Sequence, residues 1–368
     1  MSESDEFERR ALREAVRKAL EPPQGRPTAV GQPGRETWQK LADDLGLAGV
    51  SIPESLGGSG LGRAEEMIVH EEMGRVLSRL PFLSTVGKGA AALRALGSPA
   101  ADERLAAVAG GALTIAAVLA VEPGQSGLTA GRADPARITG VASAVVDAAD
   151  ADALLVLAAG DEGPVLGWLP RDAEGLRIQP MTAIDLTRSL ARVEFDRAPA
   201  TVLARGAAAA AAAEAGQRNW YLALAAENVG LAARALQMTV AYVQVRHQFG
   251  RPIGSFQAVK HRCADMLVQL ETARSALAFA QRAADNSDPR DMAAALAVAR
   301  MYCGQIPFWI ANETIHLHGG IGFTWEHPAH LYYRRAKSNQ VLLDPQERQR
   351  RVLATLIADR YDREEVTS

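Results

Sequence analysis

Along the first third of the chain, apolar positions recur every three to four residues between short polar breaks, the period of helices that bury one face. The pattern predicts an amphipathic helix over residues 7–20, a second that opens at Thr37-Trp38-Gln39-Lys40 and ends near Gly46, and a third over 64–77. The glycine-rich segment 51–62 carries Pro53 and has no βαβ unit around it, so it reads as a loop between helices rather than a phosphate loop. From Leu113 to about Leu203 short β-rich runs, such as 153–157 and 191–195, alternate with Gly, Asp and Pro turns. These predict a small antiparallel barrel or sandwich. The stretch 206–216 is nearly all alanine, the best helix former, and marks a hinge leading into helix. Beyond it the pattern predicts long helices over 223–245, 256–286, 292–316 and from Leu331 onward, joined by short loops into an antiparallel bundle. The expected fold class is α+β: an N-terminal helical domain at 1–112, a middle β domain at 113–205 and a helical bundle at 206–368.

Length agrees with this division, since 368 residues exceed what one compact core holds. A hydrophobic fraction of 48% with ordinary charge describes a globular protein, and only 5% aromatic residues beside abundant alanine favours helix over sheet. The formal net charge of −3 offers no basic excess for a nucleic-acid backbone. No apolar run reaches the ~18 residues of a membrane span, and Met1-Ser2-Glu3-Ser4-Asp5 is too acidic for a signal peptide. Neither nucleic acid nor a membrane is therefore expected as a partner. Cys263 and Cys303 are the only cysteines; both fall in helical pattern without a CxxC partner and read as reduced core residues of a cytoplasmic protein.

The candidate chemistry sits in two turns. Arg246-His247-Gln248-Phe249-Gly250-Arg251-Pro252-Ile253 offers a guanidinium, an amide and an aromatic ring, and His316-Leu317-His318-Gly319-Gly320-Ile321-Gly322-Phe323 offers glycines that let backbone N–H groups approach phosphate oxygens. Both suit an anionic dinucleotide. Together, about 70 residues apart, they resemble the acyl-CoA dehydrogenase family of flavoproteins, and the order helix, sheet, helix extends that resemblance over nearly the whole chain. It implies FAD as cofactor, an acyl-CoA thioester as substrate, and α,β-desaturation: a carboxylate takes the α-proton while the β-hydrogen leaves as hydride to the flavin. It also allows an acceptor of the electron-transfer flavoprotein kind.

In that family each site draws on two protomers. Of the parts lent to a neighbour's flavin, Arg246 matches the family arginine, Gln248 and Phe249 follow it, Gln257 stands at a further polar contact, and Gly319 and Gly320 match the paired glycines. His316 stands where a glutamine is common. The parts a chain uses for its own flavin are altered. The family's Tyr-x-x-Thr-Glu-Pro-x-x-Gly-Ser-Asp run corresponds to residues 118–127, with Val118 and Val121 at the hydroxyl positions, and the region 143–146 lacks the Trp-Ile-Thr wall. The base is missing too: Gln-Ile-Tyr-Glu-Gly-Thr aligns with Gln340-Val341-Leu342-Leu343-Asp344-Pro345, so Leu343 takes the glutamate's place, and the alternative position falls at Trp220. Glu227, seven residues on, is the weak substitute, and reads first as a helix-packing or buried hydrogen-bonded glutamate; Asp344 reads as a solvated turn aspartate before proline. The resemblance thus implies one subunit of a heteromer, of α2β2 form, whose partner chain carries the glutamate, as in actinobacterial dehydrogenases of sterol or other bulky acyl-CoA catabolism. The alternatives are a self-sufficient homotetramer that uses Glu227, and a non-catalytic scaffold of the same fold. No metal site is expected: His316 and His318 are two apart on one helix, and His327 and His330 lack an acid or cysteine cluster at ligand spacing. Tyr332, Tyr333, Arg334 and Arg335 read as a solvated helix face, and Asp185-Leu186-Thr187-Arg188 as the turn before the last strand.

Overall fold

Each apolar stripe becomes a helix packed on its neighbour. In the computed structural model, which describes residues 3–20, 35–119, 127–286, 288–344 and 346–367, the N-terminal helices are α1 (Glu3–Leu20), α2 (Arg35–Leu45) and α3 (Arg63–Arg75). Next α4 (Phe82–Ser84) runs through a π-helical stretch, Thr85–Ala90, into α5 (Ala91–Leu96), followed by α6 (Pro99–Ala109). Ser98 caps α6, its hydroxyl accepting from the Ala101 N–H, with Pro99 at the first helical position. α1 lies on α3, where Arg17 pairs with Glu72 at 2.8 Å and Arg9 with Glu65 at 2.6 Å. The glycine-rich loop holds two short 3₁₀ turns. Gly58 presses on the Ile52 carbonyl, where a Cβ would stand only 2.1 Å from the oxygen, so this glycine serves packing.

The middle region forms one sheet of β1 (Ile115–Val118), β2 (Thr129–Ala130), β3 (Ala136–Val146), β4 (Ala153–Gly160), β5 (Gly163–Pro170), β6 (Leu176–Pro180) and β7 (Leu190–Arg205). Strands β4, β2, β3, β7 and β5 close a ring, with β1 added beside β4 and β6 beside β7. The sheet is mixed rather than antiparallel, because β1 and β2 both run parallel to β4. Apolar alternation says nothing about strand direction. The signal for parallel pairing was burial on both faces: all of β1 and the first six residues of β4 are buried, between the ring's interior and the helices outside.

That outer contact explains the alanine run. Ala209, Ala212 and Ala213, on one face of α7 (Gly206–Val245), are fully buried in a cluster with Leu155, Leu166 and Trp168 of the sheet, so small side chains let the helix start lie against the strands. With 40 residues α7 spans roughly 60 Å. It packs with α8 (Gln257–Asn286), α9 (Pro289–His318) and α10 (Ala329–Leu342), and α11 (Gln346–Thr367) packs on α9. The helix expected from Leu331 onward is interrupted after Leu342, where Asp344 takes the left-handed conformation (φ 70°) ahead of proline. Two other expectations change. Tyr332 and Arg335 are 1% exposed and belong to the core rather than to a solvated face, and Cys263 is only half buried whereas Cys303 is fully so.

Candidate functional site

The ends of α7 and α9 are held side by side. The Thr239 and Thr314 hydroxyls, both fully buried, lie 3.0 Å apart in hydrogen-bond contact. One turn further, the Tyr242 ring stacks on His318 at 4.5 Å, and His318 meets His327 at 4.3 Å. Arg262, near the start of α8, reaches Glu313 of α9 at 3.3 Å, and His316 Nδ1 lies 3.9 Å from the other Glu313 oxygen. These contacts gather Arg246, Gln248, Phe249, Gln257, His316, Gly319 and Gly320 at one end of the bundle, all of them exposed. Among the described residues Arg246 has no ion-pair or hydrogen-bond partner for its side chain.

The Arg246 turn is a small hairpin, β8 (His247–Gln248) against β9 (Arg251–Pro252), with Phe249 and Gly250 at φ 51° and 79° in its two-residue loop. Such loops favour residues that tolerate positive φ; a phenylalanine there costs of order 1–3 kcal/mol. Phe249 is nonetheless 91% exposed, with only an edge contact to Phe256 at 6.1 Å. A strained aromatic turned to solvent repays its cost only against something outside the chain. Gly319 has φ 63° and ψ −143°, a conformation left to glycine, and open space stands where a Cβ of Gly319 or Gly320 would be. Exposed guanidinium, amide, ring and bare backbone together offer the donors that an anionic group such as a diphosphate takes.

A cavity of about 490 Å³ opens elsewhere, between the helical stretch 82–96, β1, β3, α7 and the end of α10. Val118, Trp220 and Tyr221 line it, as do residues 141–146, so the valine that replaces a family hydroxyl does face this space. Val121 lies outside the described residues. Leu343 does not line the cavity: it is fully buried in the helical core beside Gly304. Asp344 takes the lining position instead, with its carboxylate bound to Arg300, whose guanidinium lies 3.6 Å over the Tyr221 ring. Val118 offers the edge of a flavin no hydrogen bond, and the one described carboxylate on the walls is already bound to Arg300.

Glu227 faces away from this cavity into a buried ion cluster. It accepts from Arg335 Nη1 at 2.8 Å, from Asn339 at 3.0 Å and from Arg188, while Asp185 takes the Arg335 Nε at 2.8 Å. Burial alone would raise its pKa, but the charges of Arg188 and Arg335 and the hydrogen bonds from Asn339 and Arg335 outweigh that and hold it at about 2. Such a carboxylate is a fixed anion. Sequence reasoning missed its partners because Arg188 and Arg335 lie 147 positions apart, in a turn and a helix that each look solvent-facing alone. Their common signal was Arg335 falling on the buried stripe of α10 with Tyr332, Ala336 and Asn339. Among the described residues no group of three or more potential metal ligands comes together, and no helix is long and apolar enough to cross a membrane.

Comparison with known proteins adds to this geometry. Residues 2–111 match the N-terminal domain of acyl-CoA dehydrogenases, and residues 222–357 match the C-terminal domain. The acyl-CoA dehydrogenase IpdE2 of Mycobacterium tuberculosis is 37% identical over 316 residues, covering 86% of this chain and 85% of that protein. Among solved structures, a variant of the Tcur3481-Tcur3483 steroid ACAD superposes with a TM-score of 0.87 at 29% identity, covering 97% of this chain and 99% of that one. The ChsE4-ChsE5 complex from Mycobacterium tuberculosis gives 0.86 at 29% identity, over 97% and 98% of the two chains.

Proposed function

Because the chain belongs to the acyl-CoA dehydrogenase family, whose cofactor is FAD, we propose that it is one subunit of a heteromeric acyl-CoA dehydrogenase and completes a site whose base and flavin walls lie on a partner chain. The observation that carries this reading is the fate of the base position. Leu343 is buried in the core, and Asp344, the one described carboxylate lining the cavity, is tied to Arg300. The opposite end of the bundle meanwhile presents Arg246, Gln248, Phe249, Gln257, His316, Gly319 and Gly320 to whatever docks there. A chain that used its own site would need the first set; a chain that closes a neighbour's needs only the second.

Within the shared site, Arg246 and the Gly319 turn would hold the diphosphate, while Phe249 and Gln257 would cover the nucleotide and exclude water. The partner's carboxylate takes the α-proton of the acyl-CoA thioester. FAD, when bound, would supply the acceptor for the β-hydrogen as hydride, so that desaturation between the α and β carbons could follow. One structural relative is the ChsE4-ChsE5 complex and another the Tcur3481-Tcur3483 steroid ACAD, which supports a heteromeric partner chain and a bulky acyl group; the arrangement we propose is α2β2. The acceptor of those electrons would be of the electron-transfer flavoprotein kind.

The test is a visible absorption spectrum of the chain purified alone and after co-expression with the partner dehydrogenase. The isolated chain is expected to be colourless, and the complex to carry about half a flavin per chain, as two shared sites in four subunits require. A yellow isolated chain with one flavin per subunit that turns over acyl-CoA would sink the proposal.

A further inference from the structure

The cavity that Val118 faces holds a feature the dehydrogenase reading does not use. Lys88 lines it, and its ammonium lies 4.8 Å over the Trp220 ring. Among the described residues no carboxylate pairs with it; Asp344, the other charged residue on the walls, is engaged by Arg300. A cation so sheltered is costly unless something offsets its lost hydration, and one ring contact returns only about 2 kcal/mol.

The backbone places this lysine deliberately. Lys88 sits in the π-helical stretch Thr85–Ala90, an irregularity that recurs at functional positions. It is flanked by Gly87 and Gly89. A Cβ at Gly87 would meet Ala223 of α7 and the His70 ring at 3.0 Å, and one at Gly89 would meet Ile115 of β1 at 2.9 Å. The two glycines thus let the π turn press between α7 and β1. Asn219 of α7, buried, donates to the Gly87 carbonyl at 3.1 Å and to Glu66 at 2.6 Å, satisfying an oxygen that the widened turn would otherwise expose. Burial lowers the Lys88 pKa to about 8, which leaves it mainly cationic at neutral pH.

We infer that this cavity is a binding site for an organic carboxylate, its anionic end on Lys88 and its apolar body along Val118, Val145 and the Trp220 ring. The volume of about 490 Å³ falls in the range of small-molecule pockets, and the lining combines an apolar wall with a few polar groups, Ser84, Ser143 and Gln217. The inference rests on the reading that this chain's own cavity holds no flavin.

Calorimetric titration of the full chain, alone and in complex with its partner, tests it with decanoate as probe and decanol as the uncharged control. Saturable binding of decanoate, well above that of decanol, is expected. Lys88→Met should weaken decanoate about tenfold or more, the loss of a charge-assisted contact, without changing decanol binding. Lys88→Arg should retain the preference for the carboxylate. Since Met removes an unpaired sheltered charge at similar volume, its melting temperature should not fall, and thermal unfolding verifies that the variant is folded. No saturable decanoate binding, or decanoate affinity unchanged in Lys88→Met, overturns the inference. The flavin absorbance of the same samples reads separately: stoichiometric flavin in the isolated chain overturns the heteromer reading, while Lys88-independent binding overturns only this one.

Discussion

Glu227→Gln lowers the stability of the chain by about 3–5 kcal/mol, the cost of removing one partner from a buried ion pair, and leaves the turnover of the folded complex near its original value. The substitution keeps the shape of the side chain but removes the charge that Arg188 and Arg335 share. Both guanidiniums are buried, and Arg335 is left with Asp185 alone at ion-pair distance. For a chain of this size a loss of that order moves the unfolding midpoint down by roughly 4–6 °C. The pH dependence carries the same sign. Glu227 is held at about 2, below its ordinary value, so the stability it contributes is present above the usual glutamate range and is lost as pH falls through that range towards 2. The gap between wild type and Glu227→Gln in thermal unfolding should therefore narrow on acidification from about pH 5. Were Glu227 the catalytic base, the outcome would be reversed: removing a general base costs about 10²- to 10⁴-fold in rate, with the melting temperature no guide to it. Turnover of the complex assayed well below the unfolding midpoint separates the two. Activity lost in a variant that melts normally would restore Glu227 as the base of a self-sufficient enzyme.

The buried role of Glu227 also shows where reading the sequence ran out. Helices announced themselves through their stripes, and the two exposed turns proposed to hold the nucleotide stood out through residue types whose chemistry is local: a guanidinium, an amide and glycines. What escaped were properties that depend on residues far apart. Glu227, Arg188 and Arg335 become one cluster only when α7, the turn before β7 and α10 converge. The parallel β1–β4 pair joins strands more than thirty residues apart, and period-two alternation is blind to it. Lys88 is the intermediate case. A lysine between two glycines inside an apolar helical run was visible in Gly87-Lys88-Gly89, but the π turn and the cavity it faces were not. The substitution at Leu343 was legible as a loss of proton chemistry. Its burial, with Asp344 moved onto the cavity wall at positive φ, depended on how the loop closed over Gly304.

Arg246→Ala should cost the assembled enzyme roughly 100-fold in FAD affinity, and activity at limiting FAD in proportion, while leaving the stability of the isolated chain unchanged to within about 0.5 kcal/mol. The size follows from charge-assisted hydrogen bonds to a diphosphate, worth about 1.5–3 kcal/mol each. The absence of a stability effect follows from position. Arg246 is exposed, its side chain has no partner among the described residues, and its contribution to ending α7 is made by the backbone N–H, which donates to the Tyr242 carbonyl at 2.9 Å and survives any substitution but proline. A helix cap and a cofactor contact thus make opposite predictions for one change. Arg246→Lys refines the test: it keeps the charge but loses the planar fork, so part of the affinity should return, with lysine acting as a point charge rather than a two-pronged donor. Release of flavin fluorescence on dilution of the complex measures the affinity, and thermal unfolding of the chain alone measures the stability. Unaltered flavin retention in Arg246→Ala, or a drop in melting temperature without loss of flavin, would return Arg246 to the role of a helix end. Selective flavin loss in a chain that itself carries no flavin would locate the arginine's work in its neighbour's site.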